Sequence, residues 1–329
     1  MNRLVARWDR FWFAPQATST LALFRIVFGL LVLAWTLALT PDLLTFFGRG
    51  GIVPRAPDYG RAGLPWTWGL LNGAPGDAVV VGLYIALLVA AVCLVVGLRT
   101  RVASAVVFLA ILSFERRDPF VFNAGDTLIR VMALYLLLAP SGASLSLDRL
   151  RRARDRFWEF PARAPWALRL IQVQVSVIYL STVWEKLQGE TWRDGTAVSY
   201  ALRTDDIQRV ALPHGLVDSP LVSGVLTYGT LATELSVGVL IWSRRARPFV
   251  IVAGILLHLF IEATLTAGFF SAAMLTAYVA FVSPDTASRW ILAARDRLLR
   301  RLARSGSVAA GQWAEGTETR AGLPARRQG

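Results

Sequence analysis

The chain contains one lysine, Lys186, and every other one of its 35 basic residues is an arginine. Lys186 lies at the end of an apolar run, Leu170 to Leu187, where no solvated charge is expected. An arginine guanidinium stays protonated in a protein, whereas a desolvated lysine can release its proton. Lys186 is therefore the first candidate for proton transfer. The competing reading is an anchor that snorkels its ammonium to the lipid headgroups. Arginine would anchor equally well, so the anchor does not explain the choice of lysine. His258 and Glu262 are four residues apart in another apolar run and share a helix face. Glu262 can orient His258 as a base or donor, or the two can tie helices together. The spacing alone could hold a metal, but the one further histidine is His214, and no metal is expected. Asn123 and Asp126 stand at the mouth of a further apolar run, and Tyr179 lies deeper in the run that ends at Lys186.

These residues sit in a chain with the composition of a polytopic membrane protein. It is 55% hydrophobic and only 17% charged, with a mean hydropathy of +0.49. Crossing a bilayer core takes about 20 helical residues, and about eight candidate spans follow: 19–40, 78–98, 102–114, 127–139, 166–187, 221–243, 248–266 and 268–283. The first is too long for a secretory core of about 7–15 residues and reads as a retained helix. The expected fold class is an all-α, polytopic helical bundle. The net charge of +13 is not a nucleic-acid footprint, because the arginines fall in short blocks between the apolar runs. Those blocks are the N-terminus, Arg99 with Arg101, Arg149 to Arg163, Arg244 to Arg247, and Arg289 onward. They occupy alternate connections, so the positive-inside rule places both termini in the cytoplasm and the protein in an inner, cytoplasmic membrane. Lys186, His258, Glu262, Asn123 and Asp126 then converge near the outer leaflet, as a site requires. Such convergence can also be a structural polar network.

The remaining segments are less informative. Cys93 is the single cysteine and excludes an intramolecular disulfide. Twelve tryptophans, among them Trp35, Trp66, Trp68, Trp166, Trp184 and Trp192 near run ends, fit interfacial belts. Residues 41–77 are rich in Gly and Pro and predict a turn-rich cap. Residues 188–220 predict short interfacial helices. Residues 1–288 form the expected membrane domain, and 289–329 a basic amphipathic helix with a disordered tail. Arg25 is expected to snorkel, and Arg130 to pair with Asp126 at i, i+4. That pair is either structural or a contact for an anionic headgroup. Glu234 requires a partner that the sequence does not identify. No phosphate-binding loop, dinucleotide fingerprint, nucleophile elbow or zinc-protease motif occurs, and no paired broken-helix repeats point to a transporter.

The stretch Tyr179-Leu-Ser-Thr-Val-Trp-Glu-Lys186-Leu-Gln-Gly-Glu-Thr-Trp192-Arg-Asp-Gly195 resembles the signature of the HTTM domain. That membrane domain is shared with vitamin K-dependent gamma-carboxylase. Leu23-Phe-Arg25-Ile with Gly29, Phe122-Asn123-Ala-Gly-Asp126, and His258-Leu-Phe-Ile-Glu262 ahead of Ser283-Pro284 agree with it. The resemblance covers most of residues 19 to 285. It implies that Lys186 is the base that deprotonates a vitamin K hydroquinone, which oxygen then converts to a strong base and an epoxide. In the carboxylase that base removes a glutamate proton and carbon dioxide adds. The carboxylase also carries a large extracytoplasmic domain after its membrane helices, and a histidine near the position of Ala124, Gly125 and Asp126. Here a short basic tail follows the membrane runs and that histidine is missing, so the resemblance favours quinol binding or oxidation over glutamate carboxylation.

The expectation is a membrane-embedded enzyme acting on a lipid-soluble quinol, with Lys186 and His258 catalytic. Asn123, Asp126, Tyr179 and Glu262 would line the pocket, and Trp192 and Gly195 would shape its outer lid. The implied cofactor is a reduced quinone, vitamin K or menaquinol. The expected partners are membrane lipid or quinone and an exported peptide, with no nucleic acid. The alternative is a non-catalytic lipid- or quinone-binding protein that supports maturation or export of a peptide.

Overall fold

In hydrocarbon a backbone must satisfy its own hydrogen bonds, and for runs rich in Leu, Val and Ala the helix does so locally. The computed structural model describes residues 3–52, 68–72, 76–210, 212–213, 215 and 218–301. Helices form at all eight apolar runs. They are α1 (Ser19–Ala38), α2 (Asp77–Val96), α3 (Thr100–Arg117), α4 (Ala124–Leu138), α5 (Trp166–Gln188), α6 (Pro220–Leu240), α7 (Arg247–Thr264) and α8 (Phe270–Tyr278), the last extended by a 3₁₀ turn, Val279–Phe281. The all-α expectation holds, apart from a two-residue antiparallel ladder, β1 (Gln16–Ala17) with β2 (Ala162–Arg163).

Among the described residues, four helices are long and apolar enough to cross a membrane: α1, α2, α5 and α7. This is fewer than the expected eight. Charged residues crowd the last turn of α3, α4 has 15 residues, and Ser, Thr, Gly and Glu234 dilute α6. The nine-residue α8 is a central plug that touches α1, α4, α5 and α7. Its Ala273, Met274, Ala277 and Tyr278 are buried by those neighbours.

Of the short segments, Leu43–Phe47 is a one-turn helix within the Gly/Pro-rich cap. The rest of that cap from 53 to 67 and from 73 to 75 lies outside the described residues, as does His214. Glu190–Arg193 and Ala197–Ala201 are the short helices expected after α5. Residues 284–301 are helical, and the tail beyond 301 lies outside the described residues. An N-terminal helix, Arg3–Phe13, docks on α5, where the Arg169 guanidinium lies 4.7 Å from the Phe11 ring centroid.

The core runs along α1 through Phe24, Phe28 and Val32 and meets Leu87, Ala91 and Leu94 of α2. The α1–α2 contact is close because Gly29 lacks a side chain. A Cβ there would stand 2.8 Å from the Val95 backbone nitrogen. Arg25, one turn away, does not snorkel. It is fully buried and donates to the carbonyls of Ser141 (3.0 Å), Ser144 (3.3 Å) and Leu145 (2.6 Å). Leu145 adopts a left-handed φ of 47° at that point. Burial without headgroup access leaves these carbonyls as the acceptors that a desolvated guanidinium requires. Arg25 thus fixes the loop after α4 against α1.

Replacing Gly29 with Val should cost about 1–3 kcal/mol through overpacking. Gly82→Val, in the same helical pair but with nothing within 4 Å of its Cβ, should change stability by less than about 0.5 kcal/mol. Thermal unfolding of the detergent-solubilised variants measures both.

Candidate functional site

Lys186, in the last turn of α5, forms an ion pair with Glu234 of α6. Their side chains are 23% and 8% exposed, so the carboxylate is the more deeply enclosed partner. This answers the question that Glu234 left open in the sequence. Gly238, one turn beyond Glu234, lets α6 approach closely, because a Cβ there would lie 3.1 Å from the Leu180 side chain. One Glu234 oxygen takes the ammonium. The other, Oε2, is buried with no hydrogen bond of regular geometry, although the Thr182 hydroxyl of α5 is near the carboxylate.

Trp192 covers the pair, its ring centroid 4.8 Å from Lys186 Nζ. The chain puts it there by ending α5 at Gly189 and turning again at Gly195, which has a left-handed φ of 81°. A side chain at 195 would also press on the Tyr228 ring, 3.0 Å away. Ser223 donates to the Gly195 carbonyl (2.9 Å), and Tyr228 donates to that of Arg193 (2.9 Å). The Trp192–Gly195 segment is therefore clamped to α6 on the same side as Glu234.

Tyr179 lies two turns below Lys186 on the same face of α5. Its hydroxyl meets His258 Nε2 of α7 at 2.8 Å and also bonds the Tyr278 hydroxyl of α8. Gly254, one turn before His258, leaves the space that the Tyr278 phenol occupies. His258 is 1% exposed, and its Nδ1 is buried without a partner. Phe270 closes on it edge-on with ring centroids 5.5 Å apart, and Lys186 is within electrostatic reach. Four helices thus bring one amine, one carboxylate, one imidazole and two phenols together, with two buried polar atoms unsatisfied. Buried groups of this kind are nearly always paired; these two atoms are open, as are Arg25 Nε and Glu115 Oε1 elsewhere in the bundle.

The other expected site residues go elsewhere. Asn123 and Asp126 form a capping box at the start of α4, with Gly125 N–H donating to Asn123 Oδ1 (2.7 Å) and Asn123 N–H to Asp126 Oδ2 (2.6 Å). Trp35 is buried in the core and donates from Nε1 to Asp126 Oδ1 (2.6 Å); it does not belong to an interfacial belt. Asp126 is thereby saturated, and Arg130 pairs instead with Glu115 of α3 (2.7 Å). A helix-surface neighbour at i+4 loses here to a carboxylate on the adjacent helix. Glu262 does not orient His258. Its side chain, 41% exposed, binds Arg209 at 2.7 Å. No group of three or more His, Cys, Asp or Glu with metal-binding geometry occurs among the described residues.

Sequence reasoning missed Tyr278. The available signal was a phenol inside an apolar run, which needs a hydrogen-bond partner when buried.

The profile of the HTTM domain matches residues 13–286. The chain belongs to the HTTM domain family. It is a membrane protein whose matched region contains α1 to α8 and the Lys186 cluster. Comparison with curated proteins and with solved structures finds no match.

Removing one member of a buried ion pair strands the other, at a cost of about 3–5 kcal/mol. Lys186→Met should lower the stability of this HTTM domain by that order. Lys186→Met combined with Glu234→Leu should recover most of the loss, as thermal unfolding of the single and double variants would measure.

Proposed function

We propose that this HTTM protein is an inner-membrane enzyme that takes a proton from a lipid-soluble quinol at the Lys186–Glu234 pair. The HTTM domain is related to the vitamin K-dependent carboxylase family, which supplies the substrate class. The observation that carries the reading is the pairing of the only lysine with a buried carboxylate whose second oxygen has no hydrogen bond of regular geometry. A reduced quinone bound there supplies a phenolic hydroxyl and reducing equivalents.

The residues present suit such a ligand. His258 Nδ1 and Glu234 Oε2 are unsatisfied polar atoms at the cluster, and Trp192 offers an aromatic wall beside the ammonium. The ionic form of the pair holds one proton on Lys186 Nζ. Transfer of that proton to Glu234 frees the amine lone pair, and the pair then accepts a second proton at Nζ. The resulting ammonium stabilises the negative charge left opposite it. Arginine would keep the ion pair but close this route, because its guanidinium does not give up a proton. Tyr179, itself bonded to Tyr278, holds the imidazole of His258 in place. The arginine blocks support an orientation with this cluster toward the outer leaflet and both termini in the cytoplasm.

One observation favours a second reading. The ammonium of Lys186 is already fully engaged by Glu234 and Trp192, as in a fixed interhelical lock. In that case the protein binds a lipid or quinone without turnover and supports maturation or export of a peptide, and arginine replaces lysine without loss.

The deciding assay uses the protein in lipid nanodiscs with reduced menaquinone or vitamin K and measures oxygen-dependent epoxide formation. Wild type should form epoxide, and Lys186→Arg should lose it as completely as Lys186→Ala. An arginine variant with wild-type activity would sink the proton-transfer role. A folded wild type that forms no epoxide would move the assignment to the binding role.

A further inference from the structure

At the end of the bundle opposite Lys186, a cavity of about 620 Å³ opens between the start of α3 and the segment after α4. Five arginines line it, Arg99, Arg101, Arg149, Arg152 and Arg163, against one carboxylate, Asp148. That carboxylate is committed to the backbone, accepting the Arg99 N–H at 3.0 Å. Arg149 reaches Glu159 at 3.5 Å. Among the described residues, no carboxylate lies within ion-pair distance of the other four guanidinium groups. Four guanidinium groups are therefore concentrated around a concave space without a paired carboxylate among the described residues, where the topological rule alone requires only that they be on this side of the membrane.

Two independent features point the same way. Arg99 is the N-cap of the 18-residue α3 and provides no side-chain cap, and the first-turn residues Thr100, Arg101 and Val102 line the cavity at the positive end of the helix dipole. Arg99 is also held in the left-handed region at φ 44°, a conformation that an arginine adopts only when its surroundings enforce it. Asp148 enforces it, by accepting the Arg99 N–H and donating its own N–H to the Gly97 carbonyl (3.2 Å). Strained backbone that is over-determined in this way clusters at binding sites. The opposite wall, Ser141 to Ala143, belongs to the loop that Arg25 fastens from inside the bundle. The cavity is thus a cup with hydrogen-bonded walls.

We propose that this cup binds a phosphate-bearing ligand, either the headgroup of an anionic phospholipid or a free phosphate compound. Guanidinium forks match phosphate oxygens two at a time, helix N-terminal N–H groups receive the same anion, and the volume is within the range of small-ligand pockets.

The test is calorimetric titration of the full chain in nonionic detergent with inorganic phosphate, and separately with a soluble short-chain phosphatidylglycerol. Binding of phosphate alone assigns a soluble ligand, of the lipid alone a headgroup, and of both a site open to either source. In each case Arg101→Gln with Arg152→Gln should weaken binding by about tenfold or more, while Arg154→Gln, outside the cavity, should leave it unchanged. Arg99→Gly relieves the left-handed strain and should hold or raise the melting temperature while still weakening binding. Absence of binding for both ligands, or an Arg154→Gln loss equal to that of the cavity pair, would overturn the proposal.

Discussion

An ion buried in an apolar bundle must be matched within the protein, and the arrangement of these helices follows from where that matching occurs. Lys186 and Glu234 meet between α5 and α6. For them to do so, α6 must approach α5 closely at Gly238 and the chain leaving α5 must turn back at once. That turn delivers Trp192 over the ammonium and is pinned to α6 by Ser223 and Tyr228. The same pairing sets the register of α5, which places Tyr179 opposite His258 and Tyr278. One electrostatic requirement thus fixes two helices, a loop and the composition of the polar cluster.

The two ends of the bundle use the same physics differently. At one end, charges of opposite sign are brought together inside the protein and two polar atoms are left open. At the other, Arg25 donates to three loop carbonyls, while four of the five arginines around the adjacent cavity have no carboxylate at ion-pair distance among the described residues. Between them, Trp35 and Asp126 join α1 to α4, and Glu115 and Arg130 join α3 to α4. These inner contacts tie the helices together as framework, although Glu115 keeps one buried oxygen, Oε1, without a partner.

Much of the helical architecture was legible in the sequence, because apolar runs of helical length have few other options in lipid. Each expected run became a helix with ends shifted by a few residues. The number that can cross a membrane was not legible, since α8 is apolar because protein surrounds it, which hydropathy cannot distinguish from lipid. Lys186 stood out from the arginine usage, and Trp192, Tyr179 and His258 do gather near it. The pairings were the part that could not be read. Glu262 and Arg130 each had a plausible neighbour one turn away on their own helix, yet both found partners on other segments. Side-chain partners in a bundle are chosen by the rotation of neighbouring helices, and one sequence without its packing does not encode that rotation visibly.

The contact of Tyr179 with His258 and Tyr278 has a property that distances alone do not express. Both phenols can donate or accept, and the imidazole can carry its proton on either nitrogen. If Tyr179 donates to Nε2, then Nδ1 bears a hydrogen and seeks an acceptor. If Nε2 donates to Tyr179, then Nδ1 is a bare lone pair and seeks a donor. The direction of the whole row can reverse by moving hydrogens only, with every heavy atom in place. An oxygen placed at Nδ1 would therefore meet a donor or an acceptor there, according to which way the row of hydrogens points.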